Sequence, residues 1–247
     1  MNDSVFVRTG PGLSQGERVV DTFLAPSKTF TDILRSSSWW LPLVIMAVFT
    51  MASGFAIGKK VGWDAVAEQQ MTKSPTAADR FEQMPPDQRT LAVNRVAKTM
   101  PFFTYGAFVI ILIFVALHAL LLWASFNFGL GAKTSFGQVF AVIMYAGLPK
   151  LFISLLTIIL LFAGVGTDGF VLDNPVGTNL GYFLPSTMPA LKAAGSFIDV
   201  FGLWSLALLV IGMAIISKKK IGSSAMVVVG WWVVGMLLAV GAAAVFG

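Results

Sequence analysis

The stretch QVFAVIMYAGLPKLFISLLTIILLFAGV, from Gln138 to Val165, decides how the chain is read. A hydrocarbon core of about 30 Å needs roughly 20 helical residues at about 1.5 Å each, and this run is long enough to cross. Leu148-Pro149-Lys150 interrupts its middle. Pro149 has no N–H, so the carbonyl of Tyr145 loses its helical donor. Lys150 places an ammonium where lipid would be. The run therefore predicts a membrane helix with a break at Pro149 and a polar feature beside it.

Four more apolar runs predict helices over about Trp39 to Ile57, Phe102 to Phe128, Phe197 to Ile216 and Ala225 to Phe246. With 56% hydrophobic and 12% charged residues, and a mean hydropathy of +0.80, the fold class is an all-α integral membrane protein. It has five transmembrane helices with amphipathic interfacial helices. The first apolar run follows a mixed-charge segment and lacks a small-residue cleavage pattern, so it reads as a membrane helix rather than a leader. The chain has no cysteine and one histidine. No disulfide framework or multi-histidine metal site follows from that, and no cofactor is expected. The net charge of +5 comes from Lys and Arg that flank apolar runs, where they act as anchors and topology signals, which argues against nucleic acid.

Residues 1–16 carry glycine and proline and read as a mobile tail. Val19, Val20, Phe23 and Leu24, then Phe30, Ile33 and Leu34 after Pro26, lie at helical spacing. They predict two short amphipathic helices, either in the membrane interface or packed on the protein's own loops. Residues 1–37 thus form an amino-terminal part and 38–247 the membrane domain. Ser38 is the expected cap of the first membrane helix, with Trp39 and Trp40 as its aromatic belt. Gly54 and Gly58 offer a close approach to a neighbouring helix, as do Gly235, Ala239 and Ala243 on the fifth. Residues 59–100 hold seven of the seventeen basic and five of the twelve acidic residues. Ser74 before Pro75, and then Pro86, predict helices there, in a surface or partner-contacting segment. The connection from Gly166 to Ser196 is long for a structureless loop and predicts a part folded against the membrane face. Lysine placement at 133 and 218–220 favours an amino-terminus on the cytoplasmic side.

Lys150 is the sharpest site candidate. Gly147, Ser154 and Thr157 share its helical face, which reads as a hydrated or ligand-binding surface. A structural lysine that snorkels or pairs internally is the reading open beside it. Lys150 lies eleven residues past Val139, about 17 Å deep, and His118 ten before Phe128, about 15 Å deep, so the two are expected neighbours. Asp199, about 3 Å deep on the opposite side, stands roughly 10 Å from Lys150 in height and is better placed as a helix-start carboxylate. His118 is read either as a proton relay or as a hydrogen-bonded packing residue. No Gly-rich phosphate loop, His-Glu metal spacing or Gly-x-Ser-x-Gly elbow is present, which argues against an enzyme.

The order of several short motifs resembles the Yip (Ypt/Rab-interacting protein) membrane-domain family, and its bacterial members most. Pro26-Ser27-Lys28-Thr29-Phe30 precedes Ser38-Trp39-Trp40-Leu41-Pro42. Gln138-Val139-Phe140-Ala141 follows, with Tyr145 and Leu148-Pro149. Next come Asp173-Asn174-Pro175 with Asn179-Leu180-Gly181, Asp199 through Leu203-Trp204, and Gly230-Trp231-Trp232. The resemblance implies a five-helix membrane domain with a cytosolic amino-terminus, in a bacterial inner (plasma) membrane. In eukaryotic relatives it implies binding to Rab-type GTPases, but their Asp-Leu-Tyr-Gly-Pro motif is absent here and no residue is given that role. The expected function is a non-enzymatic adaptor or organiser, with a small transporter or channel component as the alternative. Its partners are the bilayer and a membrane or peripheral protein, a second copy of this chain among the candidates.

Overall fold

In the computed structural model, residues 12–73, 75–167 and 169–246 are described. Residues 1–11 of the expected tail, and the expected Ser74 cap, lie outside them. The chain runs through α1 (Gln15–Leu24), α2 (Pro26–Ile33), α3 (Trp40–Lys60), α4 (Trp63–Met71), α5 (Pro75–Glu82), α6 (Pro86–Ala124), α7 (Phe136–Ala146), α8 (Leu151–Phe162), α9 (Pro189–Phe197), α10 (Val200–Ser217) and α11 (Ile221–Phe246). Five spans are long and apolar enough to cross a membrane: α3, α6 with the π-helical turn that extends it to Gly129, α7 with α8, α10, and α11. The protein is an all-helical integral membrane protein. Alternation of the spans places the amino-terminus, residues 130–135 and Lys218-Lys219-Lys220 on one face. The α4–α5 segment and the 163–199 connection lie on the other.

The broken span is the centre of the domain. Over half of its most apolar stretch, 56%, is buried, whereas α6 and α11 bury 11% and 6% of theirs and present mostly lipid-facing surface. Ser135 opens α7 with a capping box, its hydroxyl accepting from the Gln138 N–H at 3.2 Å while the Gln138 side chain accepts from the Ser135 N–H at 3.0 Å. Every residue from Val139 to Ala146 is buried, against α2, α3, α6 and α10. Gly212 lets α10 close on this core, since a Cβ there would sit 2.5 Å from Val142 Cγ1 and 3.0 Å from the Phe30 ring. The break at Pro149 takes the form of a 3₁₀ turn over Leu148–Lys150.

The amino-terminal helices form a hairpin that packs on the membrane helices α7 and α10 rather than on the protein's own loops. At its tip Phe23 meets Phe152 edge-on at 5.9 Å and Trp204 at 5.7 Å. Trp204 lies thirteen residues before the end of α10, so the tip reaches about 20 Å into the domain. Residues 14–16 belong to this element and not to a tail. Ser14 caps α1, its N–H donating to Glu17 Oε2 at 2.7 Å and its hydroxyl accepting from the Glu17 N–H. The hairpin's polar groups satisfy one another. Arg18, 0% exposed, donates to Asp32 Oδ2 through Nε at 2.7 Å and to the Ser38 carbonyl. The hydroxyls of Thr22 and Thr29 both donate to the Arg18 carbonyl. Ser38 therefore serves α3 as an acceptor for Arg18. Trp39 holds the N-cap position, without a side-chain cap.

Pro101 does not start a new helix. α6 runs through it for 39 residues, about 58 Å, so its first turns rise beyond the bilayer together with α4 and α5. Gln69 on α4 clamps this arm to the 163–199 connection, its amide nitrogen donating to the Phe170 carbonyl and its amide oxygen accepting from the Leu172 N–H. Lys73 adds an ion pair to Asp173. Gly54 serves the close approach expected of it, because a Cβ there would lie 2.9 Å from the Tyr105 ring on α6, while Gly58 makes room for the Trp63 indole. Gly235 on α11 packs on no helix; nothing lies within 4 Å of its Cβ direction. The connection after α8 folds as expected against the membrane helices. A 3₁₀ turn, Leu180–Phe183, meets α9 where Gly181 and Gly195 touch, and α9 packs on α11 with Phe197 edge-on to Trp232 at 5.9 Å.

Candidate functional site

Helices α6 and α11 stand apart on the lipid-facing side, α6 packing on α3, α4 and α7 and α11 on α9 and α10. A hydrogen bond from Trp231 Nε1 to Ser125 Oγ, 2.9 Å, bridges them. Behind that gap lies a cavity of about 730 Å³, within the size range of ligand sites. Its rim is apolar, with Phe114, Leu117 and Leu121 from α6 and Val234 and Leu238 from α11. Among the apolar Ile143, Leu209 and Val228 the cavity also carries polar groups, His118, Lys150, Asn174, Thr178, Asn179, Asp199 and Ser205.

Each polar group arrives by a separate route. His118 shares the α6 stripe with Phe114, Leu117 and Leu121, at helical spacing. Lys150 stands at the end of the 3₁₀ turn and its side chain is exposed to the cavity. Asp199 is the N-cap of α10. One oxygen accepts from the Gly202 N–H at 2.6 Å and the other from the Thr178 hydroxyl, and the residue is 7% exposed. The Asn174 and Asn179 amides bond each other reciprocally at 3.1 and 2.7 Å. Asp199 and the asparagines are thus satisfied within the protein. Lys150 and His118 make no side-chain hydrogen bond or ion pair with any described residue, although Lys150 is within electrostatic range of both His118 and Asp199. Ser205, 6% exposed, also has a hydroxyl without a partner.

The structure sorts the expected site residues into two groups. His118, Lys150 and Asp199 meet at the cavity, so the lysine faces the carboxylate as well as the histidine. Gly147 lines it too. Ser154 and Thr157 do not: the Thr157 hydroxyl is turned back to the Ile153 carbonyl at 2.8 Å, on a helix packed against α3. The 3₁₀ turn, at about 120° per residue instead of 100°, rotates α8 relative to the α7 face that carries Gly147. Tyr145 also points elsewhere. It is 0% exposed and its hydroxyl donates to Gln15 Oε1 at 2.8 Å, tying the centre of the domain to the amino-terminal hairpin.

The sequence reading passed over Ser205 and the pair Arg18–Asp32. Nothing in a single helix marks Ser205 as unpartnered. Arg18 and Asp32 lie on different helices, and only the turn at Pro26 brings them together.

These features define a five-span membrane protein with an amino-terminal helical hairpin packed on its spans and a cavity between α6 and α11. The Yip1 domain family matches residues 20–243, nearly the whole chain, and the protein belongs to that family. No curated protein and no solved structure matches it.

Proposed function

We propose that the protein is a non-enzymatic adaptor of a bacterial inner (plasma) membrane, its amino-terminus cytoplasmic, which engages a membrane or peripheral protein through the α4–α6 arm. The carrying observation is the length of α6. A span needs roughly 20 residues, and this helix of 39 adds a rigid extension clamped to the 163–199 connection by Gln69 and Lys73. A projection so fixed presents a set surface, with Leu91 on it 66% exposed. A photo-crosslinking residue at Leu91 should capture a discrete protein in cells, while the same residue at lipid-facing Leu237 should not.

The cavity behind α6 and α11 favours a second reading, a small transporter or channel component. That reading requires purified protein in vesicles to carry a solute or ion, and Lys150→Leu to abolish the flux. No protein adduct at Leu91 together with such a flux would replace the adaptor with the transporter.

A further inference from the structure

We propose that the cavity between α6 and α11 binds a phospholipid entering from the bilayer, with its phosphodiester on Lys150 and its acyl chains leaving between the two helices. This goes beyond the adaptor reading and does not depend on the arm.

A charged or polar group inside a membrane domain is costly unless it is paired. Asp199, Asn174 and Asn179 avoid that cost through Gly202, Thr178 and each other. Lys150 does not: it lines the cavity and has no counter-ion within 4.0 Å among the described residues. What it lacks is an anionic acceptor, and a phosphate supplies several acceptor oxygens to a lysine as a point charge.

The shape selects an amphiphile over a soluble anion. The cavity sets Lys150 beside an apolar lining that includes Leu117, Leu121 and Leu238. The rim belongs to the two spans with the least buried surface. An anion coming from water would leave those walls facing nothing that they favour, whereas a lipid headgroup reaches Lys150 with its chains still in hydrocarbon.

The test uses the delipidated full chain in a maltoside detergent, titrated with palmitoyl-oleoyl phosphatidylglycerol and read by native mass spectrometry. One lipid should bind per protein. Diacylglycerol with the same chains should bind at least tenfold more weakly, and sn-glycerol 3-phosphate at equal concentration should not displace the lipid. Lys150→Met should weaken binding at least tenfold, while Lys60→Met, outside the cavity, should leave it unchanged. Gly235→Phe keeps the lysine but fills the open space in front of Gly235, and it should weaken binding whether or not the lysine variant folds well. Equal binding of diacylglycerol would overturn the phosphate site. Displacement by glycerol phosphate would make it a site for a soluble anion. Wild-type affinity in both Lys150→Met and Gly235→Phe would remove the cavity as the place of binding.

Discussion

Removing the Asp32 carboxylate should release the amino-terminal hairpin. Arg18 is fully buried and ion-paired to Asp32 at 2.6 Å, and its further hydrogen bonds are to main-chain carbonyls of Asp32 and Ser38. Breaking such a pair from one side leaves an uncompensated buried charge and costs about 3–5 kcal/mol, whereas replacing both partners by apolar groups of similar volume is close to neutral. The second partner of Asp32, Arg35, is 53% exposed, so losing it leaves no buried charge behind. Asp32→Ala should therefore speed amide exchange in α1 and α2 by on the order of 10²-fold or more, with α7 and α10 less affected. The double variant Arg18→Met with Asp32→Leu should restore much of the protection. Hydrogen–deuterium exchange in detergent reads both. The pH dependence follows from the same contact. Burial would raise the Asp32 carboxyl, but hydrogen bonds from Arg35 and Arg18, and then their charges, outweigh it and hold the group below its ordinary value. A depressed folded value means stability that is complete above the ordinary carboxylate range and fades as pH falls through the folded one. Hairpin exchange, corrected for intrinsic rate, should therefore quicken below about pH 4. Exchange unchanged in Asp32→Ala, or a double variant as exposed as the single, would refute the account.

Further outcomes follow from the packing. Gly54→Leu should separate α3 from α6, because even a Cβ would meet the Tyr105 ring at 2.9 Å. A loss of about 1–3 kcal/mol, read as a lower melting temperature in detergent, is expected. Gly181→Ala should loosen the connection over the cavity, since its Cβ would lie 2.5 Å from the Lys192 carbonyl, a main-chain atom that cannot swing aside; faster exchange confined to α9 and residues 180–183 would show it. The chain has no cysteine, so single cysteines at Arg80 and Lys219 can be labelled from one side of intact cells. They should react from opposite sides, and labelling from the same side would contradict the five alternating spans.

Much of the fold was legible because bilayer thickness imposes a length and a composition on each span independently of the others. The five apolar runs, the carboxylate of Asp199 at a helix start, the interruption at Pro26 and the helix opening at Pro86 are local, and they are where the sequence places them. What failed was whatever depends on phase or on partners. A continuous-helix count put Ser154 and Thr157 beside Lys150, yet neither lines the cavity that Lys150 lines, since the packing of α8 on α3 decides which of its residues face there.

By itself, then, the sequence determined an all-helical membrane protein with its longest-buried span broken at Leu148-Pro149-Lys150, since hydropathy and the missing proline N–H are properties of the residues alone. Tertiary structure decided that α1 and α2 enter the domain, because burying them requires Arg18 to find Asp32 across the Pro26 turn. It also decided that His118 and Lys150 line a common space, because α6 and α11 do not close over them. Neither a partner on another helix nor an empty volume is encoded in the hydropathy of any one segment.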